Sequence, residues 1–302
     1  FDAAVSRFTH AGELATGRTH HCGVLLEDGR ILVAGGTRTT SGAPSAEVFD
    51  PRSGQSRATL HQPLQNRSMY TATRLPDGRV LLAGGRSAGP NYASDTMDIF
   101  NPRTEQFSRV PARLDVARYG HASALVTPRL LVLYGGVALS GAGAAPEVID
   151  LETLTSTVLS MPPYEAVPRI APAVVTIYGG DTYVIGGEDY NGAVPSSLIT
   201  GLAVGGVAFR PATRLQEART MHAAAGLTDG RILIAGGSAM PGTAVLSGTE
   251  IFSPESGTVV RGPDMTTARA GHSATALPNG RVLMAGGVDR FGNAMDSAEL
   301  FG

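Results

Sequence analysis

The chain has 302 residues, 24 basic and 26 acidic side chains, and a formal net charge of −2. This near-neutral charge gives no basis for bulk attraction to nucleic acid or to an anionic membrane surface. No apolar run approaches the roughly 20 residues of a membrane-spanning helix, so we expect neither a nucleic-acid partner nor membrane insertion. The 39 glycines and 19 prolines are typical of an all-β chain with many tight turns.

A Gly-Gly doublet recurs along the whole chain at steps of 49 to 51 residues. Self-similarity at such a period is the sequence signature of a repeat architecture. The six doublets begin at Gly35, Gly84, Gly135, Gly186, Gly236 and Gly286. Six like units without a linker between them predict a single domain over residues 1–302.

Each unit predicts four strands, and the sixth shows the first two most clearly. A short apolar stretch from His272 to Leu277 is followed by Asn279-Gly280 and by a second apolar run from Val282 to Ala285. Asn-Gly between two such runs predicts a hairpin with a two-residue turn, in which both central residues have φ > 0. In the second unit, Met97–Phe100 and Gln106–Arg109 represent the third and fourth strands.

Four antiparallel strands per unit of about 50 residues are typical of a β-propeller blade. We therefore predict an all-β, six-bladed propeller. The blades are predicted at about 13–62, 63–112, 113–163, 164–213, 214–263 and 264–302. The last unit ends on a third strand, and Val5–Thr9 resembles an isolated fourth strand, so residues 1–12 are predicted to complete the last blade and close the ring.

These motifs resemble those of the kelch-repeat family. The resemblance rests on Arg-x-Gly-His at 118–121 and 269–272, on the six doublets and on third strands of the type Glu-Ile-Phe. It covers the whole chain and is similar to bacterial kelch domains and to the propeller of galactose oxidase, although the usual fourth-strand Trp is absent. It implies a fold shared by many functions.

Six arginines recur at a constant distance from the doublets, and each lies directly before a predicted innermost strand. They are Arg18, Arg67, Arg118, Arg169, Arg219 and Arg269. Either they brace neighbouring loops and pair with carboxylates, or some guanidiniums point into the central channel and attract anions at its mouth. The resemblance favours the second alternative as a hypothesis, because kelch relatives that bind acidic peptides or sialic acids use arginines near this place.

Two further positions vary together between the units. Three residues after each arginine stand His21, Tyr70, His121, Pro172, His222 and His272. The third strands carry Glu47, Asp98, Glu147, Leu198, Glu250 and Glu299 at one position. The fourth unit loses its histidine and its acid together, and the second unit changes both, to Tyr70 and Asp98. This joint variation predicts a structural His–Glu contact within each blade, with Tyr–Asp as the substitute in the second.

The long loops are predicted to emerge together on one face of the propeller, where binding residues tend to lie. Candidate contacts on that face, besides the arginines, are His20, Tyr92, Tyr190 and Phe291. Exposed aromatic and arginine side chains are common interface anchors.

A copper-radical enzyme of the galactose-oxidase type is the first catalytic alternative. The resemblance implies two tyrosines, each two residues after an arginine, but the chain has His20, Met69, Gly120, Ala171, Met221 and Gly271 at those positions. Cys22 lies where the thioether-forming cysteine would be, and its simpler interpretation is a small buried side chain. We therefore expect no catalytic residue, metal or cofactor.

The sequence favours a non-catalytic binding module for a protein, peptide or carbohydrate ligand on the long-loop face. The alternative is a carbohydrate-active enzyme, such as a sugar epimerase or a diverged galactose-oxidase-like protein. Because the chain begins at Phe1 rather than Met, we expect it to belong to a larger multidomain protein, bacterial and either secreted or on the cell surface.

Overall fold

The computed structural model describes residues 1–2, 5, 7–38, 45–63, 65–87, 92–161, 168–178, 180–189, 194–202, 208–240 and 244–302. Within this part the protein consists of strands and turns, arranged as a six-bladed propeller that confirms the predicted fold class. No helix in the described residues has the length and apolar character that crossing a membrane requires.

The strands of the first three blades are short, and most follow the predicted repeat. Blade 1 contains β1 (Arg18–Thr19), β2 (Cys22–Leu25), β3 (Ile31–Ala34), β4 (Thr37–Arg38), β5 (Ala46–Asp50) and β6 (Gln55–Ala58). Blade 2 contains β7 (Arg67–Ser68), β8 (Thr71–Arg74), β9 (Val80–Ala83), β10 (Arg86–Ser87), β11 (Ser94–Asn101) and β12 (Gln106–Tyr119), a long strand whose last residues, Arg118 and Tyr119, already belong to blade 3. Blade 3 contains β13 (Ala122–Leu125), β14 (Leu130–Tyr134), β15 (Val137–Ala138), β16 (Glu147–Asp150) and β17 (Thr155–Val158).

The remaining blades repeat the same order. Blade 4 contains β18 (Arg169–Ile170), β19 (Ala173–Thr176), β20 (Thr182–Ile185), β21 (Glu188–Asp189), β22 (Leu198–Leu202) and β23 (Phe209–Arg214). Blade 5 contains β24 (Ala223–Gly226), β25 (Ile232–Ala235), β26 (Thr249–Ser253) and β27 (Thr258–Arg261). Blade 6 contains β28 (Ser273–Ala276), β29 (Val282–Ala285) and β30 (Ala298–Phe301).

Each blade is an antiparallel sheet in which neighbours in sequence are neighbours in space, for example β2-β3-β5-β6 from the channel outward. Blade 6 has three strands in the described part, because β30 pairs there with β29 alone. Near the N-terminus, Asp2 and Arg7 bridge each other through backbone hydrogen bonds of 2.8 and 3.1 Å. Completion of the last blade by residues 1–12 therefore stays a prediction.

The apolar core lies between the blades. Leu26 and Leu32 of blade 1 pack with Val80, Leu82 and Phe100 of blade 2, and similar clusters fill the four junctions that follow. The second strands of blades 1 to 5 are largely buried on both faces, as Ile232–Ala235 shows with 0% exposure at all four residues, whereas Leu283 and Ala285 of blade 6 are half-buried. The nearly continuous apolar runs of the sequence correspond to these doubly buried strands.

The hairpin turns differ from the predicted two-residue type. In blade 1, Leu26 donates its backbone N–H to Arg30 O (2.8 Å) and Gly29 donates to Leu26 O (3.1 Å), so the loop has three residues. Gly29 has φ +87°, whereas Asp28 has no positive φ. This geometry is a type I turn followed by a left-handed glycine. The aspartate instead accepts the backbone N–H of Arg30 at Oδ1 (3.0 Å).

Candidate functional site

The six arginines predicted at the channel mouth are buried inside their own blades. Their exposed fractions are 9% for Arg18, 3% for Arg67, 0% for Arg118, 3% for Arg169, 1% for Arg219 and 0% for Arg269. In every blade Nη1 of the arginine donates to the carbonyl of the first glycine of the doublet, at 2.6 to 3.0 Å. This shared bond explains why the arginines and the doublets keep step along the sequence.

In five blades, the other terminal nitrogen of the guanidinium, Nη2, pairs with the acidic side chain on the third strand of the same blade. Nη2 of Arg219 lies 2.7 Å from Oε1 of Glu250, and Nη2 of Arg269 lies 2.8 Å from Oε1 of Glu299. Arg18, Arg67 and Arg118 pair in the same way with Glu47, Asp98 and Glu147. Such buried charges are tolerated only when they are paired and hydrogen-bonded.

The carboxylate also holds the chain that enters the blade. In blade 3, Glu147 accepts the backbone N–H groups of Asp115 (3.1 Å) and Val116 (2.7 Å), just ahead of Arg118. Glu250 binds the N–H groups of Gln216 and Glu217 in blade 5 in the same way. Arginine and acid together therefore fasten the incoming segment, the first strand and the third strand of one blade.

These contacts correct the predicted orientation of the arginines. The guanidiniums bind glycine carbonyls and third-strand groups inside the blades, so they do not offer exposed positive charge to the channel. The geometry matches the bracing alternative, in which the arginines set the loop face in place. Removing one partner of such a buried pair typically costs about 3–5 kcal/mol, because it leaves a buried charge uncompensated.

The predicted His–Glu contact within each blade is wrong, because the arginine occupies the acid. His121 instead lies against the preceding blade, where its Nε2 is 3.0 Å from Oγ1 of Thr71. Burial, and next the charge of Arg118, lower the pKa of His121 to about 3. His222 and His272 are buried in the same way, and their pKa values fall to about 3 and about 4. These imidazoles are neutral packing groups at neutral pH.

The fourth blade places Thr200, not Leu198, at the acid position. Thr200 pairs opposite Val184, as Glu250 pairs opposite Ile234 in blade 5. Its Oγ1 accepts a hydrogen bond from Nη2 of Arg169 at 3.0 Å. The spacing between arginine and acid varies from 29 to 31 residues with loop length, so equal spacing placed this position two residues too early.

The position two residues after each arginine forms the rim of the channel. His20, Met69, Ala171 and Met221 have φ values of 48° to 55°, and glycines occupy this position in blades 3 and 6. Backbone bonds link neighbouring blades here, such as Met69 N to His20 O (3.2 Å) and Gly271 N to Met221 O (2.7 Å). Left-handed non-glycine residues are sparsely populated and persist where surrounding structure holds them.

The rim residues and Cys22 do not fit a copper-radical site. The thiol of Cys22 donates to the carbonyl of Tyr70 (2.8 Å), and burial raises its pKa to about 12. None of the rim positions carries a tyrosine. Among the described residues, no three His, Cys, Asp or Glu side chains lie close enough to hold a metal ion.

Two exposed arginine–aromatic contacts lie on the long-loop face. The guanidinium of Arg86 stands 5.1 Å from the ring centroid of Tyr92 and 5.8 Å from that of Tyr119. Tyr92 is 53% exposed, and within the described residues no carboxylate lies in salt-bridge range of Arg86. These three side chains form what we call the Arg86 cluster.

The second contact joins Phe291, which is 73% exposed, to Arg290, whose guanidinium lies 4.7 Å from the ring centroid. Tyr190 lies outside the described residues. The sequence pattern indicates Tyr92 and Phe291 as candidate contacts but does not indicate Arg86 or Tyr119. Arg86 directly follows the second doublet, where the other units have Thr37, Val137, Glu188, Ser238 and Val288.

Comparison with solved structures gives the class of this fold. The chain is similar to the protein YjhT, with a TM-score of 0.72, 15% identity and coverage of 97% of both chains. It is also similar to a fungal alcohol oxidase of the AA5 family solved with copper, with a TM-score of 0.74 and 18% identity over 90% of this chain and 58% of that chain. Neither a protein-family model nor a curated protein sequence matches the chain.

These likenesses, together with the six blades, show a propeller of the kelch and galactose-oxidase-like type. At 15% and 18% sequence identity, these similarities establish a shared fold but not a shared activity.

Proposed function

We propose that the protein is a non-catalytic binding module whose ligand lies on the long-loop face, at the Arg86 cluster. The observation that carries the proposal is the contrast between its arginines. Six are enclosed in the blades, whereas Arg86 is exposed and its guanidinium lies 5.1 and 5.8 Å from two tyrosine ring centroids. Tyrosine faces and a planar guanidinium suit a ligand that combines a sugar or peptide surface with a carboxylate.

The test is direct titration of the purified protein with sialic acids, galactosides and acidic peptides. For a ligand that binds, we expect Arg86→Ala and Tyr92→Ala each to weaken binding about tenfold or more, as is typical of interface anchors. Arg79→Ala is the matched control, because Arg79 is paired with Asp77 (2.7 Å) in a hairpin turn on the opposite face. Equal affinity of the Arg86 variant and the wild type would contradict this location.

One observation favours the enzyme alternative. Glu188 follows the fourth doublet on the long-loop face and is half-buried, and burial raises the pKa of its carboxyl group. A carboxyl group in that state suits proton transfer to or from a sugar. Turnover of sialic acids or galactosides that Glu188→Gln abolishes would support an epimerase-like activity. Absence of turnover across the panel, with binding retained, supports the binding module.

A further inference from the structure

Five junctions between neighbouring blades are sealed by one repeated contact. At each of them, the first glycine of a doublet lies against the carbonyl of the next blade's arginine. A methyl group built on the glycine would be 2.5 Å from Arg67 O at Gly35, 2.7 Å from Arg118 O at Gly84, 1.8 Å from Arg169 O at Gly135, 2.6 Å from Arg219 O at Gly186 and 2.5 Å from Arg269 O at Gly236.

The second glycine of each doublet binds the same carbonyl. Its N–H donates to the next blade's arginine oxygen at 2.8 to 3.0 Å, from Gly36, Gly85, Gly136, Gly187 and Gly237. The contact therefore sets both the distance and the rotation between consecutive blades.

The sixth junction, between blade 6 and blade 1, lacks this contact. Gly286 has φ +69° like the other first glycines, but only one atom lies within 4 Å of a methyl group built there, the carbonyl oxygen of Met295 in its own blade at 3.8 Å. On the blade 1 side, His21 is exposed, whereas His121, His222 and His272 are 7 to 8% exposed. Leu25 of the innermost strand is 60% exposed. These described residues show an open junction.

The residue types needed for direct closure are present on both open faces. Blade 6 carries the doublet, and blade 1 carries Arg18 and His21. If six rotations of the size set by the five sealed contacts made a full turn, Gly286 would meet Arg18 as the other doublets meet their arginines. It does not, so six units at this rotation leave the circle incomplete.

We propose that one further kelch-type unit, continuous with this chain, fills the junction between blade 6 and blade 1. Its first strand would place an arginine carbonyl against Gly286, and its own doublet would receive blade 1 at Arg18. Along the chain, this unit would come after a fourth strand of blade 6, the strand that blade 6 lacks in the described part. Residues 7–9 would then belong to the seventh blade instead of the sixth.

Paired cysteines test whether the six units close on themselves. Across the sealed junction of blades 2 and 3, Oγ1 of Thr73 lies 3.0 Å from Oγ of Ser123. The same two repeat positions at the open junction are Thr275 and Gly23, and a methyl group built on Gly23 meets nothing within 4 Å. In a Cys22→Ala background, we expect T73C/S123C to oxidise to an intramolecular disulfide and T275C/G23C to remain reduced. Equal crosslinking of both pairs would overturn the proposal.

A lengthened chain tests whether the gap accepts one unit. A copy of residues 254–302 placed after Gly302, which occupies the repeat position of Ser253, supplies one period of the repeat, beginning with the turn and fourth strand for blade 6. We expect the thermal midpoint to rise, and a cysteine at position 23 to crosslink with a cysteine at the copy of Thr275. An unchanged midpoint with no crosslink contradicts the proposal, even if T275C/G23C stays reduced. Neither readout involves a ligand, so the outcome is independent of the proposed binding function.

Discussion

Each of the six buried arginines binds the carbonyl of the first glycine of its own blade, and five of them also pair with an acid on the third strand. Their register with the doublets was visible in the sequence, and the structure confirms that register with one hydrogen bond per blade. The direction of the side chain was not visible, because an arginine before an inner strand can reach either the channel or its own third strand. The acids at the third strands were assigned to histidines, although the bidentate guanidinium suits a carboxylate better.

The three buried histidines predict a loss of stability in mild acid. His121, His222 and His272 have pKa values of about 3, 3 and 4 in the folded protein, against an ordinary 6.5. The unfolded chain therefore binds protons first, so their contribution is full above about pH 6.5 and declines as the pH falls toward the folded values. Each histidine contributes up to about 1.4 kcal/mol per pH unit in that window.

Urea unfolding at pH 6.5 and pH 5.0 measures this loss before most carboxylates titrate. His121→Gln should reduce the slope of unfolding free energy against pH by somewhat less than one third, since His121 is one of three buried histidines and burial lowers the pKa of His21 as well. A free energy that is constant over the window would show that these imidazoles are not buried in the neutral form.

At the scale of the strand and its turn, the sequence was informative about position and less so about geometry. The paired apolar runs correctly indicated hairpins at residues 22–34 and 273–285. The Asp-Gly signal was assigned to a two-residue turn, but the loop has three residues and only the glycine is left-handed. Both geometries use the same residues, and the hydrogen-bond register that separates them is not readable from composition.

Gly230 allows the conformational cost of this turn to be measured alone. It has φ +82°, and a methyl group built there meets nothing within 4 Å. We expect Gly230→Ala to destabilise the protein by about 1 kcal/mol through backbone strain. Gly226→Ala is the matched control, because Gly226 lies in β24 without a positive φ and its new methyl would make ordinary contact with Val175 at 3.7 Å. Urea unfolding should show no loss there, and equal losses would contradict the strain argument.

For the whole molecule, the first glycine of the doublet is tightly packed at the five sealed junctions and loosely packed at the open one. A methyl group at Gly236 would lie 2.5 Å from Arg269 O and 2.8 Å from the ring of His272. At Gly286, the one atom of the described residues within 4 Å of such a methyl group would be the carbonyl oxygen of Met295, at 3.8 Å. Both glycines have positive φ, so an alanine would strain the backbone at either position. A difference in stability loss between the two alanine variants would therefore measure the contact across the junction.

We expect Gly286→Ala to cost about 1 kcal/mol, and Gly236→Ala to cost several times more because it forces the blades apart. The measurement is the unfolding free energy of both variants under one set of conditions. Equal and large losses at the two positions would show that blade 6 and blade 1 are in contact in solution.

The sequence by itself determined the repeat, the four-stranded antiparallel unit, the presence of six such units and the face that carries the long loops. These features follow from local chemistry, namely glycine at left-handed positions and apolar runs at strand spacing. Only the tertiary structure decided which way the arginines turn, that Arg86 stands beside Tyr92 and Tyr119, and that the sixth junction lies open. Those facts depend on distances between residues far apart in the chain and on the rotation between blades, which no single unit contains.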